Sequence, residues 1–116
     1  MQTFLEPLKS QEGLFGIKNK IKNEPGLFQI SGCADEGKPH LAWALGSDYK
    51  YTLIVTYNEA RARQLAMDYS FFDKNVMVFP ARDLLFFQSD LRGDEVSAKR
   101  LSVIRSLSDA KGGTVI

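Results

Sequence analysis

Tyr51-Thr52-Leu53-Ile54-Val55-Thr56 is the stretch on which the fold turns. It is rich in β-branched residues and almost wholly apolar, which predicts a strand covered on both faces. Asn58 follows as an N-cap with Glu59 in the first turn, so a helix is predicted from there to about Phe71. Asn75-Val76-Met77-Val78-Phe79 reads as the next strand and stops at Pro80. In a helix predicted from about Asp94, Val96, Leu101, Val103, Ile104 and Leu107 fall within half of a helical wheel. Gly112-Gly113 ends that region, and Thr114-Val115-Ile116 reads as the opening of a further strand.

Upstream, Leu27-Phe28-Gln29-Ile30-Ser31 is a short β-type run, followed by a glycine-containing loop and a helix from about Pro39 to Leu45. Leu14, Ile17 and Ile21 recur at helical spacing between Glu12 and Asn23, with Lys18, Lys20 and Lys22 expected in water and Pro25-Gly26 as the stop. Strands alternating with helices predict an α/β fold, a parallel sheet with helices on both faces. The expected organisation is an N-terminal helical arm over 1–25 and an α/β domain over 26–116. The last strand has only three residues, so the chain reads as an N-terminal piece of something larger, truncated at its C-terminal end.

Composition narrows the class. The 116 residues are 44% hydrophobic and 25% charged, as in one soluble globular domain, which excludes a disordered segment. Fifteen Lys+Arg against fourteen Asp+Glu leave a formal charge of +1, which excludes a strongly basic nucleic-acid module. One cysteine, Cys33, and one histidine, His40, rule out a disulfide framework and a transition-metal centre. With no secretory start and no long apolar run, a cytoplasmic protein is expected.

Gly32-Cys33-Ala34-Asp35-Glu36-Gly37-Lys38-Pro39 has the skeleton of a phosphate-binding loop, G-x-x-x-x-G-K. Such a loop needs a hydroxyl after the lysine to hold Mg²⁺, and Pro39 supplies neither that ligand nor a backbone N–H. Asp35 and Glu36 place negative charge where polyphosphate would sit; at ~4 Å like charges repel by about 1 kcal/mol even in water. Gly32, Gly37, Lys38 and Pro39 therefore read as a degenerate phosphate loop, and no cofactor is expected in this chain. His40, early in the next helix, reads as structural.

The loop followed by Leu53-Ile54-Val55-Thr56-Tyr57-Asn58-Glu59-Ala60-Arg61-Ala62-Arg63-Gln64-Leu65 resembles the first motif regions of UvrB, the helicase-like subunit of excision repair. Val78-Phe79-Pro80-Ala81-Arg82-Asp83-Leu84-Leu85-Phe86-Phe87, with the run from Val96 to Leu107, resembles the N-terminal UvrB-like module of bacterial transcription-repair coupling factors. The similarity spans essentially the whole chain and rests mainly on Phe79 to Leu107.

That resemblance implies a large cytoplasmic protein that uses ATP and Mg²⁺, in motor domains far C-terminal of this piece, to translocate on DNA. It implies release of stalled RNA polymerase and recruitment of UvrA. The module itself is implied to be helicase-like in fold but non-catalytic, packing against other domains of its own chain. UvrB carries a long aromatic-rich hairpin that clamps a DNA strand; the connection from Pro80 to Asp94 is too short for one. The family's UvrA-contacting surface belongs chiefly to a later domain.

Arg100 falls in the middle of the apolar arc of its helix. A buried guanidinium needs an acidic or carbonyl partner, and Asp83 and Asp90 are the expected ion-pair candidates. Asn58, Arg61 and Arg63, at a helix start after a strand, are the candidates for DNA contact, although a cap and a solvated face explain them equally. Phe71-Phe72 and Phe86-Phe87 read as core or as a docking patch. Two other readings stay open: an active nucleotide-binding P-loop domain, against which Pro39 stands, and a direct DNA-binding module.

Overall fold

The computed structural model describes residues 12–81, 90–109 and 112–116. The chain divides into two units, Met1–Asp48 and Tyr49–Ile116.

In the first unit, α1 spans Glu12–Asn23, the range its periodicity predicts. Leu14, Ile17 and Ile21 are half-buried along one side, while Phe15 is exposed. Lys18 departs from expectation: its ammonium donates to Ser47 Oγ at 2.9 Å and pairs with Asp48 at 3.1 Å, tying α1 to the end of α2 (Lys38–Gly46). Lys20 stands over the Phe28 ring, 5.9 Å from its centroid. The run from Leu27 to Ser31 forms no strand, contrary to its β-type composition. Strand propensity describes a fit to a half-buried pleated surface, and among the described residues no neighbouring strand provides one: Leu27, Gln29, Ile30 and Ser31 are exposed.

In the second unit, β1 (Tyr51–Leu53), β2 (Val76–Met77) and β3 (Gly113–Val115) form a parallel sheet in the order β1-β3-β2. The last strand in the chain is thus the middle one, and Thr114, Val115 and Ile116 are buried accordingly. Tyr51 stands beside Gly113, and Leu53 and Met77 flank Val115. The ladder runs slightly past the strands: Ile54 N–H donates to Val115 and Phe79 N–H to Ile116, both at 2.8 Å. Gly112 and Gly113 do more than end the preceding helix. A Cβ on Gly112 would stand 2.8 Å from the Lys50 carbonyl oxygen, and one on Gly113 2.7 Å from that of Asn75, so only glycine lets β3 enter between its neighbours.

Helix α3 runs over Glu59–Tyr69, ending slightly before Phe71, and α4 over Asp90–Ser108, starting four residues before Asp94. Gly93 inside α4 costs only about 1 kcal/mol of helix propensity, too little to stop the helix there. Residues in register share a face, so Thr52, Val76 and Thr114 point one way and Tyr51, Leu53, Met77 and Val115 the other. α3 covers the first face, where the Tyr69 hydroxyl meets Thr114 at 3.2 Å. α4 lies on the second, where the Tyr51 hydroxyl donates to the Leu107 carbonyl at 3.1 Å. A parallel sheet with helices on both faces is therefore what this unit builds.

Its core is small. Ala62, Leu65, Ala66 and Tyr69 form the inward stripe of α3, and among the described residues Tyr69 is the one large side chain wholly enclosed. On α4 the inward stripe is Val96, Arg100, Val103 and Leu107, whereas Leu101 and Ile104 are exposed, against expectation. Spacing decides this: 96, 100, 103 and 107 repeat at four and three residues, and Leu101 lies off that line. β1 also departs from its reading as a strand covered on both faces. Among the described strands it lies at the edge, with Leu53 73% exposed and Val55, just beyond it, 82% exposed. No helix of the described residues is long and apolar enough to cross a membrane.

Candidate functional site

Two places in the fold have the makings of a site, each within one unit. In the first, Ala34 leads into a single 3₁₀ turn, Asp35–Gly37, that runs directly into α2. The N–H of Gly37 donates to the Ala34 carbonyl at 3.0 Å, and the N–H of Lys38 to that of Asp35. Pro39, buried in the first turn of α2, has no N–H to give. Two N–H groups that could face a phosphate, those of Gly37 and Lys38, are thus used by the turn, and a third is missing at Pro39.

The Lys38 ammonium forms an ion pair with Asp35, three residues before it. Both side chains are mostly exposed, so the pair holds weakly, but it turns the lysine back onto the loop's own carboxylate. Gly32 has φ +81°, a turn conformation suited to glycine, with no atom crowding its open side. His40 stacks on Trp43, ring centroids 6.1 Å apart. These residues do not fit a nucleotide triphosphate with its Mg²⁺: Pro39 stands where the metal-holding hydroxyl is needed, Lys38 is paired with Asp35, and Asp35 and Glu36 add negative charge. Among the described residues, no three His, Cys, Asp or Glu side chains gather as metal ligands.

The second place is a cleft of ≈ 510 Å³ beyond the carboxyl ends of the strands, where ligands sit in open α/β sheets. Its walls are chiefly apolar, from Leu53, Val55, Pro80, Val103, Leu107 and Ile116. Asn58, Glu59 and Arg100, at its rim, are engaged within the fold. Asn58 caps α3, its side-chain oxygen accepting the Arg61 N–H at 2.7 Å, an interaction worth about 1 kcal/mol. Glu59 binds Arg63 one helical turn on. Of the three candidates for DNA contact, Asn58 and Arg63 thus have structural work, and Arg61 is half-buried.

Arg100, also on the rim, donates from Nη1 to the carbonyl of buried Pro80 at 2.8 Å, with its guanidinium carbon 4.1 Å from the centre of the Phe79 ring. A carbonyl partner and an aromatic face together solve the problem of a charge in an apolar stripe. Asp83 and the side chain of Asp90, the expected acidic partners, lie outside the described residues, as do Phe86 and Phe87. Phe71 is exposed and Phe72 half-buried. The sequence carries no pattern for the Arg100–Phe79 stack, since the two residues are distant in the chain; only the place of Arg100 on the wheel announces the need for a partner.

Among the described residues the cleft is lined chiefly by apolar side chains, with Asn58, Glu59 and Arg100 at its rim. Family models, curated proteins and solved structures contain no match to this chain.

Proposed function

We propose that the chain is a non-catalytic, UvrB-like module of a bacterial transcription-repair coupling factor. In that reading the whole protein is a cytoplasmic, ATP-driven DNA translocase that frees stalled RNA polymerase and recruits UvrA. This piece serves as a scaffold that packs against companion domains. The motor domains elsewhere in the chain hold ATP and Mg²⁺.

The observation that carries the reading is the disarmed loop. Lys38 is turned onto Asp35, Pro39 occupies the place of the magnesium-holding hydroxyl, and the Gly37 and Lys38 N–H groups close the local turn. The family reading rests on the resemblance read from the residues between Phe79 and Leu107.

The test is paired. Purified chain incubated with ATP and Mg²⁺ is expected to release no phosphate above background. In a duplex-DNA titration it is expected to show little binding at physiological salt. Phosphate release that disappears in Lys38→Ala would instead establish an active P-loop domain. A steep salt-dependent affinity lost in Arg61→Ala/Arg63→Ala would establish a DNA-binding module.

A further inference from the structure

We draw no further inference here: the strongest candidate, the chiefly apolar cleft beyond the carboxyl ends of the strands, walled by Leu53, Val55, Pro80, Val103 and Ile116, carries nothing because nothing in the structure shows what covers it.

Discussion

Replacing Tyr69 with alanine is expected to destabilise the second unit by about 3–5 kcal/mol, the cost of truncating a large aromatic core side chain. Tyr69 is 1% exposed and is the largest fully buried side chain among the described residues. Its hydroxyl and the Asp73 carboxylate each lie 3.2 Å from the Thr114 hydroxyl, which couples α3 to the middle strand. For a small unit this is a large share of a stability that rarely exceeds ~5–15 kcal/mol. Chemical denaturation followed by circular dichroism measures it; a midpoint within error of the parent would contradict the core assignment.

The same residue sets an alkaline limit. Burial pushes the Tyr69 phenol above its ordinary 10.0; the Asp73 charge adds to the rise, and the Thr114 hydrogen bond opposes it. The unfolded chain therefore releases this proton first as pH rises past the ordinary value. The folded unit loses stability from about pH 10 upward, until its own phenol ionises. In Tyr69→Phe that part of the alkaline slope is expected to vanish.

Arg100→Ala carries the second-largest expected effect, about 2–4 kcal/mol. Removing the guanidinium leaves the carbonyl of buried Pro80 without its donor, a loss of about 1–3 kcal/mol. It also strips the Phe79 ring of its cation, about 0.5–2 kcal/mol more. Arg100→Lys is expected to fall between, because an ammonium keeps the charge but cannot both stack flat and reach the carbonyl. Thermal melts of the three proteins decide the matter. An unchanged melting temperature in Arg100→Ala would mean that the bond and the stack contribute nothing to stability.

How much of this was legible before the structure depends on whether a feature is local. The cap at Asn58 and the extent of α1 are written in neighbouring residues, and both stand where the spacing puts them. The Pro39 defect is equally local, and so is the Asp35–Lys38 pair, three residues apart on one turn. Strand identity is different, because a strand needs a partner. Leu27 to Ser31 has the right residues and no ladder, whereas Gly113 joins the middle strand because glycine alone fits beside Asn75. Coverage of β1 was misjudged for the same reason: an apolar run reports what a strand prefers, while its place at the sheet edge fixes what covers it. The Arg100 partners lie twenty and more residues away, and helical periodicity contains no information about them.

The loop from Gly32 to His40 is the centre of the account, and one titration addresses it directly. ATP with Mg²⁺, added to ¹⁵N-labelled chain up to millimolar concentration, is expected to leave the amide resonances of Gly32, Gly37, Lys38 and His40 in place. Saturable shifts confined to those amides, absent when Lys38 is replaced by alanine, would show a triphosphate seated on the turn and contradict it.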